Sequence, residues 1–329
     1  MSELLEPTKR SPYRRSGFWR PFDYRIGASF AFERCASTGS TLTNRKLWVK
    51  GIAGFLLCLG CFILHGRGDG GTGIFQASAL ANAAECSEID HQHSAWTAIL
   101  KRWVHDGRVN YAALKREDRA DLLAYLNKLS TTCAADYIKW PREQRLAFWI
   151  NAYNAFTVLL IIDHYPIKSI RKIGFLPGAA FRERFIPMPG LKGEDISLND
   201  IENGTLRADF REPRIHFALV CASVGCPVLS NEAYRAQDLN RQLDEQTRLF
   251  LSDTSKNRFD PAASTLYLSP IFEWFQKDFE VVAGTVTAYV TRYLKNPIIE
   301  KPGVKIAYTT YDWSLNDWKK TPKSEKPND

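Results

Sequence analysis

The chain lacks an acidic tract, a Gln/Asn-rich tract and any internal repeat, which excludes low-complexity and solenoid architectures. It also lacks a basic domain. Residues 1–81 carry 11 Lys+Arg against 5 Asp+Glu, while the remaining residues carry 33 against 31, so most of the net charge of +8 sits in the N-terminal extension. A nucleic-acid partner needs a basic face on the folded domain, and that excess is missing. No second Cys or His pair with finger-like spacing accompanies Cys221 and Cys226, since His91, His93, His105 and His164 are scattered; no metal site is expected. No cofactor-binding motif is read either.

What is present is a chain of 329 residues with 45% hydrophobic and 12% aromatic content, enough to bury a sizeable core. Residues 1–46 form a basic, Ser/Thr-rich leader expected to be disordered. Residues 47–64 are apolar, with an uninterrupted core of 14 residues from Gly51 to Leu64. A spanning helix needs about 20 residues, so this length fits a signal-peptide h-region, with an uncleaved membrane anchor as the competing reading. Arg45, Lys46 and Lys50 place its N-terminal side in the cytoplasm. Ala79-Leu80-Ala81, in a Gly/Ala-rich linker over 65–85, offers a small-x-small cleavage pattern. The expected location is periplasmic or otherwise extracytoplasmic, either soluble after cleavage or tied to the membrane by the N-terminal segment. A globular domain over 86–318 and a disordered tail over 319–329 complete the division.

Four of the seven cysteines, Cys86, Cys133, Cys221 and Cys226, fall in that domain. An even set in an oxidising compartment suggests bridges. Cys86 with Cys133 is the favoured pair, which leaves Cys221 and Cys226 as a second bridge or a free functional pair.

Periodicity supplies the elements. Trp96, Ile99, Leu100 and Trp103 mark an amphipathic helix, and Leu122, Leu123, Leu126 and Leu129 a second. A third begins near Pro141, runs through Ile162 and stops before Pro166; apolar on every side, it is expected to be the buried central helix. Asn151 and Asn154 lie three apart on it, so they share a face and need partners, either backbone that they brace or a site that they line. Residues 174–195, rich in Gly and Pro, read as a long loop or hairpin with Phe175, Phe181 and Phe185 to pack it. Ser197 caps a further helix start. Ile215, Phe217 and Leu219 alternate with His216, Ala218 and Val220, which reads as a central strand ending in the turn Cys221 to Pro227. Strict alternation then sets Cys221 on the face opposite His216, whereas the turn Ala222 to Gly225 can return Cys226 to the His216 side and a bulge at the strand end would return Cys221 instead. Later come a helix through Leu239, Leu243, Thr247 and Phe250, a strand at Leu266–Leu268, an aromatic cluster at Ile271 to Phe279, a helix to Leu294, a strand at Val304 to Tyr308, and a closing segment at Tyr311 to Asn316. The expected fold is α+β, a mostly helical shell around a small, largely antiparallel sheet in one domain.

His216, Cys221, Ser223 and Cys226 lie within eleven residues, so any chemistry belongs at this turn. Three functions compete. In a thiol-dependent hydrolase or acyl transferase, Cys221 or Cys226 attacks, His216 takes the proton, Glu202, Asn151 or Asn154 orients the imidazole, and Ser223 or turn amides hold an oxyanion. In a thiol–disulfide protein the two cysteines exchange, although four intervening residues exceed the usual two. In a binding module the cysteines form a structural bridge, which removes the nucleophile, and the 174–195 loop with exposed aromatics meets a ligand. Asn154, Ser223 and Arg214 are candidate binding residues. The partner is an unidentified small molecule, peptide or protein, with the membrane engaged through an uncleaved N-terminal segment.

Five ordered blocks resemble the domain of unknown function 547 family. They are Phe148-Trp149-Ile150-Asn151-Ala152-Tyr153-Asn154-Ala155, Leu198-Asn199-Asp200-Ile201-Glu202, Pro213-Arg214-Ile215-His216-Phe217, Cys221-Ala222-Ser223 with Cys226-Pro227, and Tyr311-Asp312-Trp313-Ser314-Leu315-Asn316. The resemblance implies no settled activity. One departure stands out: the family often has His after the Ile-Glu pair, where this chain has Asn203.

Overall fold

The structure is a computed structural model that describes residue 86 and residues 88–294 and 303–318. The leader, the apolar segment at 47–64, the linker with its cleavage pattern and the tail over 319–329 lie outside the described residues.

The fold is α+β and is built on the helix Arg142–His164. Pro141 is its N-cap residue, where a missing N–H leaves nothing unsatisfied, and Glu143 complements the positive end of the helix. Every residue from Leu146 to Val158 is buried, so the helix has no polar face and needs neighbours on all sides. Helices Tyr111–Glu117 and Arg119–Ser130 pack on it, and Ser94–Trp103 packs on Arg119–Ser130. Asp118 binds this group together, accepting from Trp103 Nε1 at 2.7 Å and Arg102 Nη1 at 2.8 Å. A Cys86–Cys133 disulfide ties the N-terminal segment to the loop after these helices. Buried aromatic and aliphatic side chains such as Trp96, Phe148, Trp149 and Leu122 each stabilise by about 1.5–3 kcal/mol.

Among the described residues, strand content is divided among three small sheets. Val104–His105 with Arg108–Val109 and Ile186–Met188 with Glu194–Ile196 are two antiparallel hairpins. The third has Thr265–Leu268 in the middle, antiparallel to Arg258–Asp260 and parallel to Lys305–Tyr308. With helices Leu239–Ser252, Gln276–Ala283 and Val286–Leu294 it encloses a second aromatic cluster around Phe217, Phe250, Phe272, Phe279 and Tyr289.

The expected central strand is not one. Pro213–Phe217 forms a 3-10 helix whose first N–H groups are met by the Glu212 side chain, which accepts from Arg214 N–H at 3.1 Å. The apolar alternation misled because the segment is buried on every side: Ile215 and Leu219 join the first cluster and Phe217 the second. Continuous burial carries no period.

The 174–195 stretch holds the expected loop and hairpin together with short helices at Ala179–Arg182 and Pro189–Lys192 that its Gly and Pro content did not signal, and its aromatics divide. Phe181 is buried and Phe185 packs partly on the core, whereas Phe175 is fully exposed.

Candidate functional site

The two asparagines of the central helix act as substitute backbone. Asn151 Nδ2 donates to Tyr234 O at 2.8 Å while its Oδ1 accepts from Tyr234 N at 2.9 Å. Asn154 spans Ala218 and Val220 in the same way, donating at 2.9 Å and accepting at 2.9 Å. Each pins an irregular segment that has no neighbouring strand, with one bond donated and one accepted by each amide. Asn154 thereby fixes the three residues that lead into Cys221. Arg214 is committed elsewhere, to Glu212 at 2.6 Å and Asp244 at 2.9 Å.

The turn that follows is clamped from outside. Val224 N donates to Ser314 O at 2.9 Å, Gly225 N to Asp312 O at 2.8 Å and Asn316 N to Ala222 O at 3.0 Å, so the closing segment Tyr311 to Asn316 is the turn's partner. Gly225 is required for this approach. A Cβ there would meet Asp312 N, Asp312 O and Tyr311 Cδ1, each at 3.0 Å. Ala222, with φ 62°, takes a left-handed conformation that an L side chain adopts only at a cost of about 1–2 kcal/mol.

The result is a sulfur pair facing a pocket. Cys221 and Cys226 are bridged as a second disulfide. Cys226 is buried and Cys221 half-buried. Three groups converge on Cys226 Sγ: Cys221 N–H donates at 3.1 Å, the Tyr311 hydroxyl donates at 3.1 Å, and Ser223 Oγ lies 3.2 Å away. Ser223 Oγ also lies 3.1 Å from Cys221 Sγ.

The same pocket, where the two hydrophobic clusters meet, is lined by Cys221, Cys226, His216, Glu202, Tyr153 and Tyr311, with an apolar wall that includes Leu219, Ile271 and Phe275. His216 and Cys221 therefore share one cavity, against the opposite faces that a strand imposes; the 3-10 turn at Pro213–Phe217 replaces the strict alternation. His216 stacks on Phe275 with centroids 3.9 Å apart. Its Nε2 sits 2.7 Å from Asp278 Oδ2, and because a carboxylate only accepts, Nε2 carries the proton. Nδ1 is left as a buried lone pair with no hydrogen-bond partner among the described residues. Burial lowers the imidazole pKa more than Asp278 restores it, so the ring is neutral.

Burial pushes the Glu202 carboxyl up to about 7, although Arg207 and the Tyr153 hydroxyl at 3.4 Å work the other way. Glu202 opens a π-helix, Glu202–Phe210, that continues the capped turn Leu198–Ile201. Four residues apart on this element, Asn203 accepts from Arg207 Nη1 at 2.6 Å, and Arg207 grips Asp278 at 2.6 and 2.8 Å. Burial alone would raise Asp278, but the Arg207 and His216 contacts outweigh it and hold the carboxyl well below the ordinary carboxylate range. Asn203, the position at which the family resemblance breaks, thus supports the cation that holds the partner of His216.

Sequence reasoning missed Asp278, Arg207 and Tyr311 as site residues. Tyr311 lay in a block already singled out; Asp278 and Arg207 carried no local signal. Among the described residues no group of three or more His, Cys, Asp or Glu side chains is arranged to hold a metal ion.

Residues 137–251 match the family model described as "Protein of unknown function, DUF547". The matched segment contains the central helix, Glu202, His216 and both cysteines of the pocket, and it excludes Asp278 and Tyr311. No curated protein and no solved structure matches the chain.

Proposed function

We propose that the pocket of the DUF547 segment is a thiol–disulfide exchange site in which Cys221 receives the attack and Cys226 leaves. The observation that carries this reading is the set of donors around Cys226 Sγ within a bridge that lines a pocket. Thiolate departure is faster when the leaving sulfur is stabilised, and the Cys221 N–H and the Tyr311 O–H supply that stabilisation, with the Ser223 hydroxyl donating to Tyr311 at 3.2 Å behind them. Cys221, the more exposed residue of the pair, is the target of attack.

The step balances as follows. A substrate thiol gives its proton to His216 Nδ1 or to the Glu202 carboxylate, and the resulting thiolate attacks Cys221 Sγ. A substrate–Cys221 S–S bond forms, the Cys221–Cys226 bond breaks, and the electron pair settles on Cys226. A second thiol of the substrate then attacks its own mixed-disulfide sulfur and releases Cys221 as thiolate. The substrate dithiol is oxidised by two electrons to a disulfide, and the cysteine pair, with the two protons, is reduced to two thiols.

A second reading is favoured by the His216–Asp278 pair. With the bridge reduced, Cys221, His216 Nδ1 and Asp278 would be a nucleophile, a base and the group that fixes the tautomer, the arrangement of a thiol-dependent acyl transferase or hydrolase. One experiment separates the two. Full-length oxidised protein is mixed with a reduced dithiol peptide while free thiols are counted, and the reduced protein is offered an activated thioester. Stoichiometric peptide oxidation that Cys226→Ser abolishes supports exchange; thioester turnover by the reduced protein without peptide oxidation by the oxidised form replaces it with the second reading. An extracytoplasmic location, argued from residues 47–64 and 79–81, belongs to the same proposal and suits a chain with two bridges.

A further inference from the structure

The loop after the central helix exposes apolar side chains among cations. Phe175 is 106% exposed and Leu176 69% exposed, far beyond the other apolar residues of this stretch. Their exposure is not that of an unpacked end, because the loop's root is in the core: Ile170, Ile173, Ala180 and Phe181 are all buried. Gly174 at φ 75° and Gly178 at φ 71° turn the chain out and back, so the Phe-Leu tip stands off the surface. Around it, residues 167–184 carry Lys168, Arg171, Lys172, Arg182 and Arg184 against one acid, Glu183, and all five cations are exposed. Arg184 is paired with Glu194 of the following hairpin, and Arg182 donates to Pro177 O at 2.7 Å, which braces the tip.

An apolar tip ringed by Lys and Arg complements one surface in particular, an anionic bilayer. The side chains enter the headgroup boundary while the cations meet lipid phosphates, each worth about 1 kcal/mol near such a surface. We infer that residues 171–178 form a membrane-docking finger for an anionic lipid surface, with Phe175 and Leu176 inserted. The finger adjoins the pocket. Phe181 lines it, Arg171 lies over Trp313 at 5.4 Å, and Leu315 N donates to Lys168 O at 2.9 Å. Docking therefore brings the sulfur pair to the bilayer surface, toward partners that reside there. This inference goes beyond the exchange reading and does not depend on it.

The test is hydrogen exchange of the full-length protein followed by mass spectrometry, without lipid, with phosphatidylcholine vesicles, and with vesicles that also contain phosphatidylglycerol. Residues 47–64 can hold the chain to either vesicle, so the readout is the local exchange of peptides covering 170–182. The expected result is a slowing of roughly fivefold or more on the anionic vesicles alone, lost in Phe175→Asp/Leu176→Asp and in Lys168→Glu/Lys172→Glu. All four side chains are exposed, so the fold is unaffected, which unchanged exchange in the central helix verifies. Unchanged exchange of the loop on anionic vesicles, equal slowing on neutral ones, or slowing that persists in the Asp double variant overturns the inference.

Discussion

Replacing Glu202 by Gln isolates the effect of a carboxyl whose titration burial moves up to about 7. In the unfolded chain it titrates near the ordinary 4.5, and in the folded protein burial raises it to about 7. Below the lower value both states carry the proton, and Glu202 makes no pH-dependent difference. As pH rises between the two values the unfolded chain releases a proton that the folded protein keeps, which favours unfolding; above the folded value the loss is complete. The window of roughly two and a half pH units corresponds to about 3 kcal/mol of stability lost from acid to alkaline pH. Glu202→Gln keeps the shape and removes the titration. Its stability relative to wild type is therefore expected to rise by about 3 kcal/mol between pH 4 and pH 8. Urea unfolding of the full-length protein at several pH values measures this difference, and groups common to both proteins cancel. A wild-type-minus-variant difference that stays flat across the window would refute the placement of Glu202 in a desolvated pocket.

Asp278 behaves with the opposite sign. Its pKa is depressed, so its contribution is present above the ordinary 3.8 and is lost as pH falls through the lower folded value. Asp278→Asn, which unpairs Arg207 and His216, is expected to lower stability at neutral pH by about 3 kcal/mol, read by denaturant unfolding. Tyr311→Phe deletes one donor to Cys226 Sγ; alkylation of Cys226 in the reduced protein at neutral pH should slow by about tenfold, from a hydrogen bond to a thiolate worth about 1.5 kcal/mol. Cys86→Ala/Cys133→Ala opens a loop with a sequence separation of 47 and should cost about 4 kcal/mol in denaturant unfolding. Gly225→Ala crowds Tyr311 and Asp312, and the shift needed to relieve it is expected to slow alkylation of reduced Cys226 as Tyr311→Phe does while lowering the melting temperature as well.

The parts of the fold legible in the sequence are those set by local pattern. The central helix follows from an apolar run too long for a strand, between Pro141 and Pro166, and the Ser197 start follows from a capping residue that accepts from Asp200 N–H. The Cys86–Cys133 pair is the favoured one of the three pairings that four cysteines allow, and counting alone does not select it. The His216 segment was misread because its neighbours are helices and asparagine side chains, which satisfy the backbone of an irregular segment as well as a strand would; no period in the residues encodes that. The site was legible in part for the same reason. His216, Cys221 and Cys226 are close in the chain and Glu202 lies in a recognisable block, whereas Asp278 reaches His216 across 62 positions and Arg207 reaches Asp278 across 71. Contacts at such separations leave no trace in spacing.

The proposed reactivity of the pocket bridge at Cys221, with Cys226 as leaving group, is read by equilibrating full-length protein in glutathione buffers of graded ratio, blocking free thiols with an alkylating agent, and mapping each cysteine by mass spectrometry. The expected result is that Cys221–Cys226 opens at ratios that leave Cys86–Cys133 closed, with glutathione on Cys221 and alkylation on Cys226. Two bridges that open together only under strong reductant, or glutathione captured on Cys226, would contradict it.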